Sequence, residues 1–277
     1  MTNYQITETF PTPILQDFNR FLAFFGRQAH PLTGQRSFLR RKDLFELNQQ
    51  LVRRTVEVTA RNDQPAYPQI HLFYYLCRNS RLFTLELKSD SRQFIWQPNP
   101  ERIQIYHSLN PIEQYFFLFK TLWVYSDWEE IQPAEQEGRI FPALIDEFFM
   151  ELAKPGHEPG KWIDLDGKRW SHGVFTTAGI LHYLEFFGFW ECGEAAGDEA
   201  YRTRTFRPVS KLKMTPFGKS MVRRISESAL PSEWNYFMAM EGDDEDFLNG
   251  ASSNGSYDGD GLVSDTGCRA YGLEFLG

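Results

Sequence analysis

A chain of 277 residues, 42% hydrophobic and 24% charged, has material for one large domain or two smaller ones, and its composition excludes a fibrous or wholly disordered chain. Three cysteines (Cys77, Cys192, Cys268) without motif spacing argue against a disulfide framework and a cysteine-based zinc site. The net charge of -8 is unevenly laid out: residues 227–277 hold eleven acids and one arginine, a local -10, so everything before them carries +2.

In chain order, Ile14, Phe18, Leu22 and Phe25 fall at helical spacing within 11–28. A turn at 31–34 and a short strand-like "RSFL" (36–39) follow. Leu44, Leu47 and Leu51 then predict a helix over 40–52. After a loop at 61–68, residues 69–82 form another helical stripe, with Ile70, Phe73, Tyr74 and Cys77 on the core side. Strand-like "FTLEL" (83–87) and "RQFIW" (92–96) flank a polar turn. A helix over 110–125 starts at Pro111, the position proline favours. The order helix, short strand, helix, helix, strand, strand is that of a winged helix.

Residues 132–138 read as a linker, and a second unit repeats the plan less clearly: a helix over 141–154, a helix running into a strand over 176–192, a strand over 205–214 and a helix over 216–226. The expected fold is mainly α with small β-hairpins (α+β). Tandem winged-helix-like units occupy 10–131 and 139–226. The acidic, Gly/Ser/Asp-rich tail at 227–277 has too little apolar surface to order itself. The start of the chain lacks the pattern of a signal peptide, and "FLAFF" (21–25) is too short to span a bilayer, so a cytoplasmic protein without a membrane partner is expected.

Residues 200–226 hold eight cations and no acid: Arg202, Arg204, Arg207, Lys211, Lys213, Lys219, Arg223 and Arg224. A basic wing and the helix behind it would make a phosphate footprint for DNA. In the first unit, the outward side of the 69–82 helix would present Gln69, Leu72, Tyr75, Arg78 and Asn79, of which Leu72 and Tyr75 suit protein packing better than base edges. The acidic tail could fold back on the basic wing and compete with phosphate. The rival expectation is a protein–protein scaffold in a bacterial defence, stress or mobile-element context, using exposed aromatics such as Tyr75 or Trp128.

"LKMTPFGKSM" (212–221) ends in the Gly-Lys-Ser of a phosphate-binding P-loop. The loop's first glycine is missing, with Lys213 in its place, and Pro216 removes an amide the phosphates would need. Thr215 as N-cap with Pro216 at the first helical position explains the same letters as a helix start. Six histidines (30, 71, 107, 157, 172, 182) show no metal-binding spacing, and 254–265 only partly imitates a calcium loop. The carboxylates at 127–130 read as a solvated helix end. An enzyme would need a pocket gathering His172, His182 and those carboxylates; no catalytic motif, metal or cofactor is expected.

The stretches 32–51, 67–83, 109–131 and "LHYLEFFGFWEC" (181–192) together resemble the helical region of uncharacterised bacterial proteins related to the plasmid Ri ORF-three-like family, over about residues 10–225. The resemblance implies an interaction or regulatory module of unknown function, and it transfers no active-site residue.

Overall fold

The computed structural model describes residues 5–33, 37–88, 93–132, 142–165, 179–194 and 209–236. Within them the chain is an α+β protein of nine α-helices and two small antiparallel sheets. The first half runs α1 (Ile14–Phe25), β1 (His30–Pro31), α2 (Arg41–Asn48), a 3-10 turn at Gln64–Ala66, α3 (Pro68–Asn79), β2 (Phe83–Leu87), β3 (Phe94–Pro98), α4 (Pro100–Ser108) and α5 (Pro111–Tyr125). The second half runs α6 (Pro142–Ala153), β4 (Trp162–Asp164), α7 (Gly179–Phe186), β5 (Trp190–Glu194), β6 (Val209–Met214), α8 (Pro216–Ser228) and α9 (Pro231–Trp234).

Four elements depart from expectation. One is α9, which lies in the stretch 227–277 expected not to order itself; it is followed by the buried Asn235, whose amide donates to the Trp123 and Ser126 carbonyls (2.8 and 3.1 Å). The short first strand lies at His30–Pro31, pairing with Trp96 and Ile95 of β3, while 36–39 contributes only a Thr33–Phe38 bridge. Helix α4 was not anticipated because only Tyr106 among its residues is buried, which leaves no apolar stripe to read. Strand β4 is three residues long, too short for an alternation signal. The expected linker at 132–138 lies, except for Gln132, outside the described residues.

The two halves share one plan. The sheet orders are β1-β3-β2 and β4-β6-β5. In each, a helix turns into the hairpin through a residue with positive φ, Arg81 (58°) or Gly188 (82°). Each hairpin then feeds directly into a capped helix. Asn99 accepts from the Arg102 amide with Pro100 next to it; Thr215 accepts from the Gly218 amide with Pro216 next to it. The Thr-Pro start anticipated from the sequence is present.

One apolar cluster runs through both halves, and α5 is its shared wall. The helix is fixed at its start by a reciprocal pair: the Asn110 side chain accepts from the Ile112 and Glu113 amides, while Glu113 accepts from the Asn110 amide. Its Tyr115 hydroxyl donates to the Phe187 carbonyl (2.6 Å), and its Trp123 indole to the Ala229 carbonyl (2.9 Å). Phe119 packs against Phe187 and Phe189. From the other half, the Tyr183 hydroxyl returns a bond to the Ile131 carbonyl (2.7 Å). Leaving any of these polar groups buried and unpaired would cost about 1–3 kcal/mol each.

Helix α3 corrects a sequence expectation. Ile70, Phe73, Tyr74 and Cys77 do face the core, but Gln69, Leu72 and Tyr75 on the supposed outer side are buried too. Gln69 donates to Asp17 of α1 (3.2 Å), Asn79 donates to the Ser126 hydroxyl (2.9 Å), and Arg78 pairs with Glu130. The cause is a long-range cover: α7 and the turn after α5 lie across that side. Trp128 is buried as well, its indole bonded to the Leu122 carbonyl, so neither Tyr75 nor Trp128 is a surface aromatic.

Candidate functional site

Strand β6 alternates, sending Leu212 and Met214 into the core and Lys211 and Lys213 to the other face. The register then fixes a small grid on that outer face. Trp162 of β4, Lys213 and Glu191 of β5 form one row; Asp164, Lys211 and Gly193 form the next. Trp162 is 47% exposed, an unusual position for a tryptophan. The Lys211 and Lys213 ammonium groups lie 4.9 and 5.1 Å from the centroid of its ring, within cation–π range. Lys213 also reaches Glu191 at 2.5 Å. Gly193 matters sterically: a Cβ there would meet the Lys211 stem at 2.4 Å and the Trp162 ring at 3.0 Å.

The connection from β5 to β6 leaves and re-enters this sheet at the paired Glu194 and Val209, next to the Lys211 row. Arg202, Arg204 and Arg207 belong to that connection and lie outside the described residues. So do His172, the tail from 237 on and, within it, the calcium-like segment 254–265.

The other predicted cations have different fates. Lys219 is not part of the surface patch. Its ammonium donates to the Leu152, Ala153 and Lys154 carbonyls (2.8, 3.2 and 2.9 Å), capping the C-terminal end of α6. Burial lowers its pKa, with Arg223 adding to the shift and Glu158 opposing it. Arg223 pairs with Glu227 one turn along α8, and Arg224 is exposed. The remaining P-loop letters are equally structural. A Cβ on Gly218 would sit 1.7 Å from the Phe189 carbonyl oxygen, so the glycine serves the close approach of α8 to the chain entering β5. The Ser220 hydroxyl bonds back to the Pro216 carbonyl.

The 127–130 carboxylates are likewise occupied with structure. Asp127 accepts from the Glu129 and Glu130 amides (2.9 and 3.2 Å), and Glu130 holds Arg78. His182 groups with Glu185 and Cys192 instead, ligand-type atoms lying within 4.8 Å of one another. Burial pushes the Cys192 thiol well above its ordinary range, reinforced by the Glu185 carboxylate, which is the opposite of an activated nucleophile. His71, on α3, accepts at Nδ1 from the Gln64 amide (3.2 Å), whose own oxygen is taken by the Leu39 amide (2.9 Å). Burial drives its pKa down to about 4, which the Ile131 carbonyl offsets only in part.

Sequence reading therefore found Lys211 and Lys213 but not the ring between them. The cue in "KWID" (161–164) is only that Trp162 and Asp164 stand two apart after a Pro/Gly loop, too short a stretch to read as a strand by itself. No helix among the described residues is long and apolar enough to cross a membrane. No family model, curated protein or solved structure matches the chain.

Proposed function

We propose that the chain is a non-enzymatic binding module of two winged-helix-like units that contacts single-stranded nucleic acid through the outer face of its second wing. The matching sheet orders and the helix, strand, helix, hairpin order, to which the first half adds α2, support the winged-helix-like reading. A duplex reader of that type needs an exposed third helix. Here α3 and the corresponding α7 are both buried along nearly their whole length, so groove readout by either helix is disfavoured. The wing is what is left, and the observation that carries the reading is the half-exposed Trp162 ring with two ammonium groups about it. A flat ring for a base, next to Lys211 for a phosphate, is the combination used by sequence-tolerant single-strand binders. The resemblance to an interaction module found in the sequence is compatible with this role.

The test is binding of a labelled oligothymidine and of a matched duplex across a salt series. Wild type should prefer the single strand and weaken steeply with salt. Trp162→Ala should weaken single-strand binding about tenfold, the equivalent of a stacking loss of about 1.4 kcal/mol. Arg207→Glu/Lys211→Glu/Lys213→Glu should remove about three phosphate contacts and flatten the log–log salt slope by about 2. No salt-sensitive binding to either probe at low salt overturns the reading. A second reading, a protein scaffold, rests on Ile112 and Phe116, exposed one turn apart on α5; it predicts that same absence of binding.

A further inference from the structure

Apart from the wing, the cluster of His182, Glu185 and Cys192 has the makings of a second site, and it does not depend on nucleic-acid binding. His182 and Glu185 are three residues apart on α7, so both side chains project from one face. Cys192 comes from β5, the strand that α7 feeds through the Gly188 turn. We propose that these three side chains form a binding site for one zinc-class divalent ion, made of one imidazole nitrogen, one carboxylate oxygen and one thiolate sulfur.

The geometry of the carboxylate favours this. Glu185 Oε1 is held by Arg53 Nη2 at 3.1 Å, while Oε2 points the other way, 3.9 Å from His182 Nδ1. One oxygen is therefore fixed by a cationic donor and its partner faces the imidazole, the pattern in which an outer group orients a ligating carboxylate. Arg53 is itself anchored: its backbone amide and that of Val52 donate to the buried Asp17 carboxylate (2.9 and 2.6 Å), and its guanidinium lies over the Phe186 ring. The 3.9 Å separation is too long for a hydrogen bond and suits two ligands of a common ion. In a tetrahedral zinc site neighbouring donors lie about 3.5 Å apart, so the observed span of up to 4.8 Å closes with side-chain movements of about 1 Å.

The donor types narrow the ion. A sulfur and an imidazole nitrogen select zinc and its borderline neighbours over magnesium or calcium, which take oxygen. On binding, the Cys192 S–H bond gives its proton to solvent as the sulfur–metal bond forms. Thiolate and carboxylate then balance the dication, and Arg53 keeps Glu185 Oε1. Because Arg53 stands in the first half and all three ligands in the second, occupancy would tighten the seam between them.

The test uses the full chain, stripped with chelator and titrated with Co2+. One equivalent should produce a thiolate-to-cobalt charge-transfer band, which Zn2+ then bleaches while raising the melting temperature. The band should vanish in Cys192→Ser and persist in Cys77→Ser and Cys268→Ser. His182→Gln and Glu185→Gln should each weaken Co2+ binding by about tenfold or more and alter the visible cobalt spectrum. No charge-transfer band in the wild type overturns the proposal, and so does a band that survives Cys192→Ser. If Cys192→Ser does not fold, unchanged cobalt spectra in the two glutamine variants overturn it instead.

Discussion

The two sheets share a strand order, yet their outer faces differ in chemistry. On the first, Thr84 and Glu86 stand opposite Gln97 and Ile95, with no lysine or arginine in either hairpin strand. On the second, the same topology carries Trp162, Lys211 and Lys213. The inward positions are alike: Phe83 and Trp96 fill the first, Trp190 and Leu212 the second, all buried. Topology is thus preserved by what points inward, and any division of labour is written on what points outward.

The contrast extends to the helix after each hairpin, where the largest effect is expected. Arg102 and Gly218 occupy the same place, the residue whose amide is capped by Asn99 or Thr215. Helix α4 stands clear of the core, burying only Tyr106, whereas α8 presses against the Phe189 backbone. Gly218→Ala should cost about 4 kcal/mol or more, because its methyl group would overlap a backbone carbonyl that cannot retreat without moving β5. Arg102→Ala at the matching place should change stability by less than about 0.5 kcal/mol. Urea unfolding of both variants decides the point, and equal losses would break the comparison.

Much of this was legible in the sequence where the cause is local. Asn110, Pro111 and Glu113 announce the start of α5, and Thr215 with Pro216 announces α8, because caps are read within one turn. The inner stripe of α3 was legible for the same reason. Its outer stripe was not, since Leu72 and Tyr75 look exposed until α7, from the other half of the chain, is laid across them. Lys219 misled in the same way: its partners are carbonyls at the end of α6, far back in sequence. Trp162 was missed because a lone tryptophan acquires meaning only when the register puts two lysines beside it.

Acid should separate the halves next. His71 lies on α3 between the 3-10 turn and the α7 side, edge-on to Phe38 and Tyr75. Its pKa falls from 6.5 in the unfolded chain to about 4 in the fold, so between those values the unfolded chain takes up a proton that the native one refuses. The stability it supports is therefore complete above pH 6.5 and is lost as the pH falls towards 4, in total about 3 kcal/mol. His71→Gln should be less stable than wild type at pH 7 but lose about 2–3 kcal/mol less between pH 7 and pH 4.5. Parallel pH profiles for the two proteins in urea melts would show that the acid-sensitive group lies elsewhere.

The smallest expected effect is the one of opposite sign. At the helix-to-hairpin turn the second half uses Gly188 at a φ of 82°, and the first half uses Arg81 at 58°. An L-residue in that region costs about 1–2 kcal/mol, which glycine avoids, although glycine gives back about 0.5–1 kcal/mol through the freedom of the unfolded chain. The Arg81 side chain is exposed, so little is lost by removing it. Arg81→Gly should therefore stabilise the protein by about 0.5–1 kcal/mol. Gly188→Ala should do the reverse and by more, because its Cβ would also meet the Pro11 ring at 2.7 Å. Thermal melts of the two single variants measure how alike the turns are. A destabilising Arg81→Gly would mean that the arginine is held there by something other than tolerance, and that the first turn is not a plainer copy of the second.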